Sequence, residues 1–244
     1  MSQIGSLSIV VPAFNEEKRI GRCLASVRVA MHEVGLRDSS WELIVTDNAC
    51  TDATAEIARR HGARVVREEV RQISRSRNAG ASIARHEWLL FIDADSQLSS
   101  ETLWQMLHAI AHEELVGGGA LVALDGAPWI GRRLVDFWNT ISRSFGWAAG
   151  SFIFCRSDAF RDVRGFSLEL FAGEEVDLTQ RLKAWGRPKG LRFRILTRTR
   201  HHSSGRKFQL YGKRDFAKLF FRGLRPGRLL RTRDQLDFFY DGRR

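Results

Sequence analysis

Two carboxylates separated by one residue, Asp93 and Asp95, close the apolar run at the start of WLLFIDADSQ (88–97). In a strand the side chains at i and i+2 point the same way, so this spacing predicts that both acids share a face. Like charges so close repel unless a cation, a proton or a basic side chain lies between them, and hard oxygen ligands suit Mg2+ or Mn2+. A strand ending in an Asx turn is the competing structural explanation. A calcium loop fits worse, because the sixth position from Asp93 is Leu98 where Gly is needed, and the twelfth is Trp104 where Glu is needed.

Other residues with chemical potential are scattered along the chain. Glu174, Glu175 and Asp177 open EEVDLTQRLKAWG, an acidic start that would complement a helix macrodipole or supply a base. Arg77 is a candidate phosphate clamp, because a guanidinium binds phosphate through two donors, while the nearby Arg71 and Arg75 read as a solvated basic face. His201 and His202 follow the last basic and apolar alternation, where they are either a solvent-exposed pair or imidazoles suited to Mn2+.

These groups need elements to position them. LSIVVPAF (7–14), WELIVTDN (41–48), ARVVREE (63–69) and EWLLFIDAD (87–95) are rich in Val, Ile, Leu or Phe and predict strands. Helical stretches alternate with them at 16–34, 52–61, 74–85 and 100–112, the first with Ile20, Leu24, Val27 and Met31 at three- and four-residue steps. Strands apolar on both faces and alternating with helices predict an α/β fold, a mostly parallel central sheet with helices on both sides. Ligands in such sheets bind beyond the carboxyl ends of the strands, where NEE, DNACTD and the paired acids fall. Farther on, GGGALVAL (117–124) and GSFIFCR (150–156) predict strands separated by the Trp-rich stretch 129–147, and EEVDLTQRLKAWG predicts a helix with a Gly stop before a last strand.

Bulk properties narrow the class. A chain of 244 residues, 43% hydrophobic and 27% charged, has the composition of a globular protein with one large core. No apolar run reaches the roughly 18 residues of a membrane span and no charged leader opens the sequence, so a cytoplasmic location is expected. Three widely spaced cysteines, Cys23, Cys50 and Cys155, predict reduced thiols. The net charge of +11 is concentrated at the end: from Arg198 to Arg244 there are 14 Lys and Arg against 4 Asp and Glu. The simplest division is a domain over 1–205 and a basic, helical C-terminal extension over 206–244. Its interleaved Phe, Leu, Tyr, Lys and Arg suit either the inner face of an anionic membrane or packing on the domain; no nucleic-acid motif accompanies the charge.

SIVVPAFNEEKRIGRCLASV, ELIVTDNACTDAT, SRNAGASIARHEWLLFIDAD and FAGEEVDLTQRLKAWG, in that order, resemble motifs of the family 2 glycosyltransferases, whose fold is known as GT-A. The resemblance runs over most of residues 6–205. It implies an inverting, metal-dependent enzyme of hexosyltransferase type that moves one sugar from a nucleotide-sugar, a UDP-sugar first, to a carbohydrate or lipid-linked acceptor in envelope polysaccharide or glycolipid synthesis. By the same resemblance Asp95 is a ligand of Mn2+ or Mg2+, Asp93 reaches the donor ribose or the metal shell, and Pro12, Glu16, Asp47 and Arg77 hold the nucleotide. His201 or His202 would complete the metal shell, and Arg206 and Lys207 would close over the diphosphate. Glu175 matches the catalytic base, with Glu174 and Asp177 behind it. Two positions depart from the family pattern: Glu175 stands where Asp is usual, and Asn48 replaces the second acid of the usual Asp pair. The absence of Q-x-x-R-W after the acidic helix argues against a processive synthase.

Two rival readings remain at this stage. A nucleotidyltransferase would carry a glycine-rich, Lys-containing loop near its first strand, and VVPAFNEE is not one. A membrane- or polyanion-binding protein with a degenerate nucleotide pocket would bind surfaces without turnover.

Overall fold

The computed structural model describes residues 6–205. Seven strands, β1 (Leu7–Ala13), β2 (Trp41–Asp47), β3 (Arg64–Arg67), β4 (Trp88–Ile92), β5 (Leu115–Asp125), β6 (Phe152–Arg156) and β7 (Arg192–Ser204), form one sheet in the order β3-β2-β1-β4-β6-β5-β7. The β3-β2, β2-β1, β1-β4 and β5-β7 pairs are parallel, and β6 runs against both its neighbours. Every residue of β1 and of β4 is buried, which accounts for their apolar runs, and the one polar residue among them, Ser8, donates to Glu42 at 2.7 Å.

Helices α1 (Ile20–Glu33), α2 (Thr54–Arg60), α3 (Ile73–Ser82), α4 (Ser100–His112), α6 (Ser157–Asp162) and α7 (Glu174–Gly186) connect the strands. The predicted period holds in α1, where Ile20, Cys23, Leu24, Val27, Ala30 and Met31 are all buried. The Trp-rich stretch folds as a further helix, α5 (Trp129–Phe145). Three boundaries differ from expectation. Glu16 lies ahead of α1, in a turn closed by its carbonyl to the Arg19 and Ile20 amides, and so is not a first-turn helix residue. Asp52, the first residue of the stretch expected to be helical at 52–61, lies two residues before α2 and accepts from the Thr54 amide at 3.0 Å. Strand β4 ends at Ile92, so the paired acids lie beyond it. The basic extension 206–244 falls outside the described residues, as do Arg206 and Lys207. Among the described residues no helix is long and apolar enough to cross a membrane.

Glycine sets the closest approach between helix and sheet. A Cβ on Gly80 of α3 would lie 2.4 Å from the Val10 side chain and 2.8 Å from Thr46 Oγ1, so only a bare Cα lets α3 settle on β1 and β2.

Candidate active site

The sheet order reverses between β1, which leads outward to β2, and β4, which leads the other way; ligands of α/β sheets bind beyond the strand ends at such a point. A cleft of about 300 Å³ opens there, lined among others by Pro12, Glu16, Asp93, Asp95, Glu174 and Glu175. With Arg77, seven of the sequence-predicted residues thus meet in one cavity although they span more than half the chain.

Asp93 and Asp95 reach the cleft from a tight turn rather than from a strand face, the turn being closed by the Ser96 amide on the Asp93 carbonyl at 3.0 Å. Beneath them the Cys23 thiol is held protonated, first by burial and then by the charges of Asp95, Asp93 and Glu16. The field of three carboxylates on one thiol marks this corner of the cleft as one that favours a cation.

Arg77 is the hub of the opposite wall. It is buried, with Nη1 2.8 Å from Glu174 Oε1, Nη2 2.8 Å from the Gly150 carbonyl and 3.4 Å from Asp93 Oδ1, and its guanidinium lies over the Phe166 ring. Burial opposes its charge, and Glu174, Asp93 and Glu175 outweigh that effect. Both terminal nitrogens are engaged by protein, so Arg77, which also lines the cleft, ties three segments of the site together. Its neighbour Asn78 does likewise, donating to the Phe166 carbonyl and accepting from the Phe166 amide, both at 2.9 Å.

That bracing fixes the start of α7. Gly173 precedes the helix with φ +75°, a conformation that suits a residue without Cβ, and places Glu174 and Glu175 in the first turn. Glu174 points back into the Arg77 pair. Glu175 faces the cleft half-buried, and its pKa is pushed up to about 8, first by burial and next by the adjacent Glu174, with Arg77 pulling the other way. A carboxyl so raised accepts a proton near neutral pH far more readily than an ordinary one. Asp177 points elsewhere, into an ion pair with Arg181 one turn on, so it is removed from the cleft.

The nucleotide side is only partly as expected. Asp47 does not line the cleft: its Oδ1 accepts from the Cys50 amide and its Oδ2 from Arg67, each at 2.8 Å. Burial raises its pKa, but these hydrogen bonds prevail and hold it below the usual carboxylate range. Asn48 does line the cleft, and its Nδ2 donates to the Glu68 and Val70 carbonyls at 3.1 and 2.7 Å. A carboxylate there would face two carbonyl oxygens, so an amide suits this position where an acid would be repelled. Arg71, read from sequence as solvated surface, also lines the cleft, its guanidinium 4.4 Å from the centre of the Phe14 ring. Its exposure made it look like any surface arginine; only its contact with a residue 57 positions earlier reveals it.

The two histidines separate because neighbours on a strand face opposite sides. His201 is buried against Phe152, neither ring nitrogen has a hydrogen-bond partner, and burial followed by the charge of His202 pushes its pKa down to about 3. It is neither exposed nor in the cleft. His202 is exposed and its Nδ1 lies 2.9 Å from Asp125, while it borders the same shallow depression as Asp95. Among the described residues no three His, Cys, Asp or Glu side chains are gathered to hold a metal unaided. Asp95 and Asp93 nevertheless fit a hard cation of the Mg2+ or Mn2+ kind, which takes one or two carboxylates and fills its other positions from phosphate and water.

Residues 8–162 match the family described as Glycosyl transferase family 2. Among curated proteins, Glycosyltransferase AglE of Haloferax volcanii is 26% identical over 193 residues, covering 74% of this chain and 62% of that protein. Dodecaprenyl-phosphate galacturonate synthase of Rhizobium johnstonii is 34% identical over 119 residues, 45% of this chain and 33% of that one. The chain therefore spans less than two thirds of these relatives' lengths. Of solved structures, the mannosyltransferase PcManGT from Pyrobaculum calidifontis, in complex with GDP-Man and Mn2+, superposes with a TM-score of 0.66 at 19% identity over 82% of this chain and 57% of that one. S. aureus TarS 1-349 in complex with UDP-GlcNAc does so with a TM-score of 0.62 at 18% identity over 82% and 58%. The fold is that of the GT-A glycosyltransferases, and with the matched motifs covering more than half its length the chain belongs to glycosyltransferase family 2.

Proposed function

We propose that this chain transfers a single sugar, with inversion, from a nucleotide-sugar, a UDP-sugar first, to a lipid-linked or carbohydrate acceptor of envelope polysaccharide or glycolipid synthesis. The observation that carries the reading is the pairing, across one cleft, of a carboxylate corner at Asp93 and Asp95 with a carboxyl of raised pKa at Glu175. A displacement at an anomeric carbon needs these two poles. Negative charge grows on the departing diphosphate, and a bound divalent cation would stabilise it as a Lewis acid. Asp95 and Asp93 would hold that cation, and Arg71, rather than Arg77, is the cleft arginine exposed enough to meet a phosphate. Glu175 takes the proton of the acceptor hydroxyl as its oxygen attacks the anomeric carbon from the face opposite the diphosphate. Arg77 acts by positioning, holding Glu174 beside Glu175 and Asp93 near the donor. Pro12 and Glu16 line the nucleoside end, while Asp47 shapes the turn from outside.

The name of one relative, dodecaprenyl-phosphate galacturonate synthase, supports a lipid-linked acceptor class, and the solved neighbours bound to GDP-Man and UDP-GlcNAc support the donor class. The deciding experiment is calorimetric binding of UDP, GDP and CDP, each with and without Mn2+, to the wild type and to Asp95→Ala. Metal-dependent binding of one nucleotide, lost in the variant, is the expected result. Failure of all three nucleotides to bind would return the chain to the surface-binding reading.

A further inference from the structure

Helix α5 is folded with its apolar side outward. Ile130, Leu134, Phe137, Trp138, Ile141 and Phe145 recur at three- and four-residue steps, and of these Leu134, Phe137 and Phe145 are 45%, 66% and 60% exposed. Its buried residues are instead Gly131, Asn139 and Ser142. The Asn139 amide clamps β5 by donating to the Val122 carbonyl at 2.9 Å and accepting from the Val122 amide at 3.0 Å, and Ser142 donates to the Trp147 carbonyl at 2.7 Å. Polar contacts thus anchor the helix, Ile130, Trp138 and Ile141 are half-buried, and Leu134, Phe137 and Phe145 are left exposed.

Charge and chain path identify the occupant. Arg132, Arg133 and Arg143 are exposed on the same helix. The chain leaves the described fold beside it: the Gly205 amide donates to the Asp125 carbonyl at 2.9 Å, and a Cβ on Gly205 would lie 2.7 Å from the Ala127 amide nitrogen. From there residues 206–244 bring 12 Lys and Arg against 4 Asp and Glu, interleaved with Phe, Leu and Tyr. Two elements of like sign do not make good mutual covers, and the same objection applies to two copies meeting α5 to α5. An apolar stripe bordered by Arg133, on a helix that exposes three arginines against the one acid Asp136, is complementary to an anionic bilayer surface, with the aromatic groups among acyl chains and the bordering cation on a head group. We infer that α5 docks this protein on an anionic lipid surface through Leu134, Phe137 and Phe145.

The position suits the activity. The segment following α5 runs through Trp147, stacked on Phe145, into Gly150 and Ser151 of the cleft wall. Lys183 of α7 donates to the Phe145 carbonyl at 2.6 Å, so the helix that carries Glu175 is tied to the docking helix. A lipid-linked acceptor would meet the cleft from that side, a consequence that rests on the proposed function while the docking itself does not.

The test is flotation of the full chain with vesicles of phosphatidylcholine, with and without phosphatidylglycerol, comparing the wild type, Leu134→Ser/Phe137→Ser/Phe145→Ser and Asp95→Ala. The wild type and Asp95→Ala should float only with the anionic vesicles, and the triple variant should lose about a hundredfold or more in partitioning at unchanged nucleotide binding. Equal partitioning of the triple variant, or no flotation of the wild type, would overturn the inference. So would a lower thermal midpoint in Leu134→Ser/Phe137→Ser, which spares the Phe145–Trp147 stacking, or a dimer-to-monomer change in the triple variant without lipid, because the stripe would then be covered by the chain's own tail or by a second copy. Because Asp95→Ala should still float, failure of the transferase reading would be visible separately.

Discussion

Helices α1 and α5 are both amphipathic, and they face opposite ways. α1 presses its apolar side into the core beneath β1 and β4 and shows solvent a charged one. α5 holds the sheet through Asn139 and Ser142 and turns Leu134, Phe137 and Phe145 outward. Helix α7 stands with α5, because its first turn places Glu174 and Glu175 in a desolvated cleft. One half of the molecule follows the rules of a stable core, and the other departs from them where a substrate or a surface is to be met.

The sharpest separation of the two halves comes from Glu175. Glu175→Gln should lower turnover by about 10²–10⁴-fold, since loss of a general base has effects of that size, and initial-rate assays of nucleotide release would measure it. The same variant should not destabilise the protein. A carboxyl whose pKa is raised on folding keeps its proton while the unfolded chain has lost it, so its contribution to stability falls as pH rises from the ordinary carboxylate range to about 8. Denaturation from pH 5 to 8 should show that decline in the wild type and less of it in Glu175→Gln. The rate of the wild type should rise through the same window as Glu175 ionises.

Leu24→Ala in α1 should do the reverse, costing about 2–5 kcal/mol of stability by cavity formation while leaving nucleotide affinity intact in the folded fraction. Equilibrium denaturation with urea gives the first quantity and calorimetry the second. Asn139→Ala should cost about 1–3 kcal/mol, because the Val122 amide and carbonyl lose their buried partner; a change below that range would show that α5 is held by other contacts. Smallest of all, Phe137→Ser should shift stability by no more than about 0.5 kcal/mol, measured on the same urea curve. A larger loss would mean that the outward face of α5 is covered after all.

Much of the first half was legible in sequence because its helices and strands bury apolar faces, and burial writes a period into the chain. The helix at α1 and the strands β1 to β4 could be read from spacing, and the paired acids from their place at the end of an apolar run. The stretch 129–147 gave no such guidance: its apolar residues repeat as a helix's do, but the amount of Trp and Phe says nothing of which way they face. The sequence read Arg77 as the phosphate clamp and Arg71 as solvated surface, because it does not show that Arg77 is buried against Glu174, 97 residues away, while Arg71 stacks on Phe14 at the cleft.

What the sequence determined by itself was the fold class, the family and the types of group brought to the cleft, because these depend on local period and on motif order. Tertiary structure alone decided which groups face the cleft. It set Asp177 into a pair with Arg181, His201 into the core and Arg77 into a brace, and it raised the pKa of Glu175. The physical reason is that direction, desolvation and electrostatic partnership arise between segments distant in the chain, and come into being only when the sheet brings those segments together.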